Sequence, residues 1–350
     1  MIESKPTHTS LSELGEFGLI DYLTKNIELK NKSSIKGIGD DAAVIDIGNN
    51  YTLISTDLLV EGIHFDMTYT PLKHLGYKAA VVNFSDIYAM NGTPRQITVG
   101  IAVSNRFSLE ALEEFYSGIY LACEKYAVDL VGGDTTTSKS GLFISITVVG
   151  TVEKSDVVYR NTANEHDLIC VSGDLGSAYA GLLLLEREKS VFIADPEMQP
   201  DLDGYDYIIE RQLKPEARKD IITLFNEHKI KPTSMIDISD GLASEIIHIC
   251  KNSNTGCAIF EEKIPIDIST INFCDSVNID PTTAAMNGGE DYELLFTLSQ
   301  NDFEKVKQLE EVKIIGYITD ASNGLNLISR SSQAIPITAQ GWDALKNSKF

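Results

Sequence analysis

Acidic residues recur at one kind of place in this sequence, the end of an apolar run beside Gly, Ser or Thr. Asp40 and Asp41 stand side by side in IKGIGDDAAVI, Asp57 closes LISTD, and Asp86 lies in AAVVNFSDIYAM. Asp134 ends DLVGGD, Asp237 and Asp240 bracket IDISD, and Glu290 and Asp291 follow NGG. Adjacent carboxylates repel, and an apolar neighbourhood raises the cost of charging either one. Backbone N–H groups, a basic side chain or a cation must offset that cost. Singly, each acid has an ordinary reading: Asp240 is a good N-cap for a helix from Leu242, and Asn83 and Asp86, at i,i+3, would share a polar helix face. Together, oxygen-rich sites spread over both halves suggest one cleft holding several hard cations. Mg2+ takes carboxylate, hydroxyl and phosphate oxygens.

The elements that must carry these acids follow from periodicity and turn signals. Ser10-Leu-Ser-Glu13 reads as a capping box opening a helix with Leu14, Phe17 and Ile20 on one face. AAVIDI and YTLIST are strands joined by a turn at Gly48-Asn49-Asn50. Residues 72–90 form a helix whose apolar neighbours Val81, Val82, Phe84 and Ile87 predict burial. Ser108 caps a second helix through about Tyr126, and QITVGIAV, AVDLVGG and GLFISITVVGTV are further strands. The polar stretch 153–167 separates two domains, 1–152 and 153–350. In the second, SMIDISDGLASEIIHIC is a strand–turn–helix whose strand projects Asp237 and Ser239 to one side. GCAIF, YELLFTL, VKIIGYI and GLNLIS are also strands. The fold class is α/β (α+β) in two domains.

Composition narrows the function. The 350 residues carry 51 Asp+Glu against 29 Lys+Arg, a formal charge of −22 that repels phosphate backbones and excludes nucleic acid as a partner. No run approaches the ~18 apolar residues of a membrane-spanning helix, and the N-terminus lacks the pattern of a secretory signal. The five scattered cysteines form no C-x-x-C pair, so zinc knuckles and disulfide frameworks are excluded and a cytoplasmic setting is expected. No G-x-x-x-x-G-K-[ST] loop exists, so any nucleotide is held without a Walker lysine. His64 in VEGIHFD reads alone as a structural histidine as readily as a functional one.

Read together, GIGDDAAVI, STDLLVEGIHF, VNFSDIYAMNGTP, VGGDTT, IDISDGL and GGEDYELLF, in this order, resemble thiamine-monophosphate kinase, of the superfamily that includes aminoimidazole ribonucleotide synthetase. The resemblance spans roughly residues 13–345. It implies ATP-dependent phosphorylation of thiamine monophosphate to thiamine diphosphate, with several Mg2+ ions as cofactors. It further implies that Asp41, Ser55, Thr56, Asp57, Asp86, Asp134, Asp237 and Asp240 hold Mg2+. Gly133, Asp134, Arg160 and Ser239 would contact ATP, and His64 and Glu290 the thiamine substrate. A C-terminal aromatic also meets substrate in that family; in AQGWDALKNSKF this points to Trp342, although the tail departs from the family's G-W-D-H-F after Asp343. A homodimer paired through the N-terminal sheet is expected.

The acceptor in such a reaction is a phosphate oxygen, already ionised, so no side chain need act as general base. The obstacle is repulsion between anions, ~4 kcal/mol per unit-charge pair at 4 Å and an effective dielectric of ~20. Numerous acids holding several cations answer that obstacle. Arg160 would add bidentate charge on ATP, and Trp342 or Tyr292 could meet the cationic thiazolium ring face-on. Two other readings stay open on the residues: a superfamily member that closes rings or activates selenium, and a non-catalytic divalent-metal module. The first Cys, Cys123, lies inside a helix rather than in an N-terminal Gly-rich segment, which counts against the selenium branch.

Overall fold

The computed structural model describes residues 11–340. The first half folds as α1 (Leu11–Thr24), β1 (Ser34–Lys36), β2 (Ala43–Asp46), β3 (Asn50–Val60), α2 (Leu72–Ala89), β4 (Thr93–Val103), α3 (Leu109–Tyr126), β5 (Asp129–Thr137) and β6 (Leu142–Glu153). The strands make one sheet in the order β1-β2-β3-β6-β4-β5. Only β4 and β5 run parallel, as the α3 crossover between them requires. Along β6, Leu142, Ile144, Ile146 and Val148 are buried while Phe143, Ser145 and Thr147 turn the other way, the period-two pattern of a sheet with one covered face. The opposite face is open and carries apolar groups, Leu58 at 57% and Val131 at 60% exposure.

Fourteen of the eighteen residues of α2 are buried. Such a helix is apolar all round because it is covered on all sides. One side lies on the first sheet. Gly118 of α3 crosses it so closely that a Cβ there would sit 1.9 Å from the Lys73 carbonyl oxygen. The remaining side meets the second half of the chain.

That half contributes β7 (Leu168–Ser172), α4 (Ser177–Ala194), α5 (Asp206–Leu213), α6 (Lys219–His228), β8 (Ser234–Asp237), α7 (Leu242–Ser253), β9 (Thr255–Phe260), α8 (Ile268–Ser276), α9 (Pro281–Asn287), β10 (Leu294–Leu298), β11 (Val312–Asp320), β12 (Leu325–Ile328) and β13 (Ala334–Pro336). The second sheet is ordered β13-β12-β9-β11-β7-β10-β8. One face, with Cys170, Met235, Leu294, Phe296 and Leu298, shares a core with α2 and the first sheet. The other, with Ile169, Val171, Ile236 and Leu295, packs on Ile246 and Ile249 of α7. The fold is mixed α/β with two sheets, as the patterning implied.

Three local expectations are corrected. β3 and β5 run on to Val60 and Thr137, so Asp57 and Asp134 lie inside strands, not at their ends; pairing along β6 and β4 carries the backbone past the polar residues. β8 stops at Asp237, leaving Ser239 in the turn, because Glu293 and Glu290 of the neighbouring segment take over the backbone bonds there. In α1 the backbone kinks at Gly15 (φ 67°), and Phe17 and Ile20 of the expected apolar face remain 42% and 38% exposed. The capping serine, Ser10, lies outside the described residues. Among those residues, no helix is long and apolar enough to cross a membrane.

Candidate active site

Asp41, Ser55, Asp57, Asp86, Arg160, Asp237, Ser239 and Asp240 meet at one cleft of about 180 Å3 between the two sheets. Alternation along β3 turns Ser55 and Asp57 toward α2. There the Ser55 hydroxyl donates to Asp86 Oδ2 at 2.6 Å, and Asn83 Oδ1 accepts the Asp57 N–H at 3.3 Å. Ser85, immediately before Asp86 on the helix, donates to Asp237 Oδ2 at 2.6 Å, so α2 orients acids from both halves of the chain. Carboxylate oxygens of Asp41, Asp86 and Asp237 all lie within 4.8 Å of one another.

The tandem aspartates divide their partners. Asp40 accepts the Arg160 backbone N–H at 3.0 Å and pairs with Lys36 Nζ at 3.2 Å. Asp41 receives Arg160 Nη2 at 2.7 Å on Oδ1, while its buried Oδ2 has no hydrogen-bond partner among the described residues.

Burial pushes the Asp41 carboxyl up to about 7, with Asp237 and Asp40 adding to the rise and Arg160 opposing it. Burial likewise raises Asp57 to about 6. It raises Asp237 to about 6 against the pull of Ser85, and puts Asp86 well above the carboxylate range, helped by Asp57 and Asp237. A pocket that resists charging its own acids, leaves one oxygen orphaned and converges three carboxylates is under-supplied with positive charge. Its all-oxygen donor set fits a hard divalent cation held by Asp41, Asp57, Asp86 and Asp237.

His64 and Glu290 form a second locus. Burial lowers the His64 pKa while Glu290 opposes and Lys78 reinforces that shift, and His64 Nδ1 accepts the Val60 N–H at 3.0 Å. Glu290 sits at φ 61°, its N–H on the Ser239 carbonyl at 2.7 Å. Gly289 makes this approach feasible, since a Cβ there would meet the Ser239 oxygen at 2.5 Å. Gln340 N–H bonds Asn287 Oδ1 at 2.9 Å, so the last described residue lies beside this segment; Trp342 falls outside the described residues.

Two strands place residues elsewhere. The Thr56 side chain lies on the open sheet face, hydrogen-bonded to Thr147, because it alternates with Ser55 and Asp57. Gly133 is in register with Asp57 through Val99 and Ile146, three strand spacings or ~14 Å away. Asp134 is exposed and shares the open-face row of Ser145 and Leu58.

Asp40, singled out with Asp41 but given no separate role, also lines the cleft, and motif reading missed Glu245, His248 and Phe17 there. Glu245 Oε1 accepts the Asp240 N–H at 2.9 Å, and burial raises its carboxyl well above the usual range. A signal existed: an acid five residues after Asp240, in the first turn of a helix, suits the free N–H groups there. His248 meets Phe17 in a tilted ring contact, centroids 4.4 Å apart, a tertiary contact no local pattern announces.

Residues 39–152 match the family model described as AIR synthase related protein, N-terminal domain. Over 332 residues, 92% of this chain and 97% of the relative, the sequence is 40% identical to thiamine-monophosphate kinase of Buchnera aphidicola subsp. Schizaphis graminum. The chain belongs to the thiamine-monophosphate kinase family. It is therefore an enzyme, a kinase. Its similarity to the Bacillus subtilis family member is 32% over 342 residues, 95% of this chain and all of that one. A solved structure described as AaThiL complexed with AMPPCP and TMP superimposes with a TM-score of 0.81 at 32% identity, covering 96% of this chain and 99% of that one.

Proposed function

We propose that the chain transfers the γ-phosphoryl group of ATP directly, in line, to the phosphate of thiamine monophosphate, giving thiamine diphosphate and ADP, and that it acts in the cytoplasm as a homodimer. The observation that carries the reading is the convergence of Asp41, Asp86 and Asp237 beside Arg160, in a chain whose relatives bear that kinase name across their full length. The solved relative with AMPPCP and TMP supports the same pair of substrates.

In this reading Asp41, Ser55, Thr56, Asp57, Asp86, Asp134, Asp237 and Asp240 hold several Mg2+ ions. When bound, these offset the charge of the two phosphate groups as they approach. The protein's own part is positional. Ser55 and Ser85 fix the rotamers of Asp86 and Asp237 by donating to one oxygen of each. Arg160, held by Asp41 and, through its backbone, by Asp40, presents its guanidinium to ATP together with Ser239. His64, Glu290 and Trp342 receive the thiamine end, and the Glu290–Ser239 backbone bond sets the spacing between acceptor and nucleotide. No side chain takes the acceptor's proton, because that phosphate oxygen is ionised at neutral pH. Residues 1–152 and 153–350 form the two domains between which the cleft opens. Gly133 and Asp134, on the far strand, reach ATP only in the dimer, where a second copy covers the open sheet face.

The test is incubation of purified protein with ATP, Mg2+ and thiamine monophosphate, followed by chromatography. Equal amounts of thiamine diphosphate and ADP are expected. ADP with inorganic phosphate alone would move the acceptor elsewhere in the superfamily, and no ADP would leave a metal-binding protein.

A further inference from the structure

Lys78 is one of the few lysines a protein of this kind hides, with 4% exposure in the middle of α2. A lysine is almost never fully buried unless paired, and here the partners are specific. Its Nζ lies 3.0 Å from Glu290 Oε1 and donates to the Gln212 carbonyl at 2.9 Å. The Gln212 side chain returns to the same carboxylate, Nε2 donating to Glu290 Oε2 at 2.7 Å. Both oxygens of Glu290 and its backbone N–H are thus fixed, and its φ of 61° is a conformation a non-glycine residue holds only when its surroundings impose it. The carboxylate keeps about 30% side-chain exposure, so it is held without being covered.

We infer that Lys78, with Gln212, is a positioning residue that presents Glu290 to the heterocyclic end of the acceptor substrate, which carries an amine on one ring and a positive charge on the other. This rests on the reading of Glu290 as a substrate contact. A carboxylate oxygen has two lone-pair sites. With one on each oxygen taken by Lys78 or Gln212, the free ones face outward and select an N–H donor or a cation over an anion. The Lys78 ammonium is spent on Glu290 and does not serve the phosphates. Because Lys78 and Asp86 lie eight residues apart on one helix, α2 fixes the heterocycle end and the phosphate end of the acceptor on a single rigid ruler.

The experiment is steady-state kinetics of the full chain with both substrates varied, for Lys78→Met, Glu290→Gln and the double variant. Lys78→Met should raise KM for thiamine monophosphate about ten- to hundredfold and leave KM for ATP within about threefold. In the Glu290→Gln background the same change should add less than about threefold, since the lysine acts through that carboxylate. Lys78→Arg should recover part of the loss. Parallel rises in both KM values, an unchanged KM for thiamine monophosphate, or multiplicative effects in the double variant would overturn the proposal. If Lys78→Met does not fold, Lys78→Gln, which keeps a donor for the Gln212 carbonyl, is read by the same ratios. Failure of the wild-type enzyme to make thiamine diphosphate would strike the functional reading itself, a separate result from any of these.

Discussion

Two buried clusters of charge lie at either end of the segment from Ile238 to Glu293, and they are balanced differently. In one, Arg211 Nη1 stands 3.0 Å from Glu293 Oε1 and Nη2 stands 3.8 Å from Asp291. Arg218 also grips Glu293, and Asp291 further accepts the Gly176 and Ala178 N–H groups at the start of α4. Three acids share two arginines, since Arg218 also pairs with Asp220 at 2.7 Å, and each carboxylate has a cation or backbone donor from the chain itself. In the cleft, Asp40, Asp41, Asp57, Asp86, Asp237, Asp240 and Glu245 crowd around Arg160, with Lys36 at the edge. The first cluster finds its counter-charges within the chain. In the proposed reading the second finds them in cations from outside, which is what would make it a site.

The sharpest way to break this contrast is to neutralise one acid in each. Asp57→Asn should lower kcat/KM by about a thousandfold or more, corresponding to several kcal/mol of lost charge stabilisation. Thermal melting without metal should stay level or rise, since one repelling carboxylate is gone. Glu293→Gln should do the reverse: it removes the buried carboxylate that two guanidinium groups share, leaving Arg218 with Asp220 and Arg211 with Asp291, and costs about 3 kcal/mol of stability in denaturant melts. Equal stability losses in the two variants would erase the distinction.

Asp134 sharpens the contrast from another side, being an acid assigned to the cleft but sited on the open face. If it reaches a second copy's cleft, mixing and re-annealing inactive Asp57→Asn and Asp134→Asn subunits should restore up to about a quarter of wild-type activity. The arithmetic is that half the dimers are mixed and one of their two sites is intact. No recovery would place Asp134 in its own subunit's site.

A smaller effect concerns pH. Asp57 and Asp237 titrate near 6 and Asp41 near 7 in the fold, against ~3.9 in an unfolded chain. Between these values the folded state binds more protons, so metal-free stability should fall as pH rises from about 4 to about 7. Mg2+ competes with those protons. The rise in melting temperature on adding Mg2+ to chelator-treated protein should therefore be greater at pH 8 than at pH 5.5. An equal or opposite difference would remove these carboxylates from the metal site.

Much of this was legible before any coordinates. Asp41, Asp57, Asp86 and Asp237 stand out because acids beside glycine or serine at the edges of apolar runs are costly unless something uses them. The helices of α2 and α3 follow from composition and from the Ser108 cap, which accepts the Ala111 N–H. Less legible was what depends on partners distant in sequence. β3 continues through Ser55-Thr56-Asp57 because β6 pairs with it residue by residue, and a single-strand pattern does not carry that. Lys78 looked like any helix lysine; only its contact with Glu290, 212 positions later, marks it. Phe17 and Ile20 had the spacing of a buried stripe, yet spacing does not say whether a surface is there to receive it.

The burial of α2 on every side also governs when the protein can come into being. Its first-sheet face is satisfied by residues up to Glu153, but its far face waits for Met235 and Phe296. A nascent chain that has left the ribosome only as far as the first sheet would hold a helix with half its apolar surface in water, and domains otherwise tend to fold as they emerge. Maturation of this enzyme should therefore be late and concerted. The strand that completes the cover, β10, is synthesised late, and until it arrives the far face of the helix that aligns the cleft stays open.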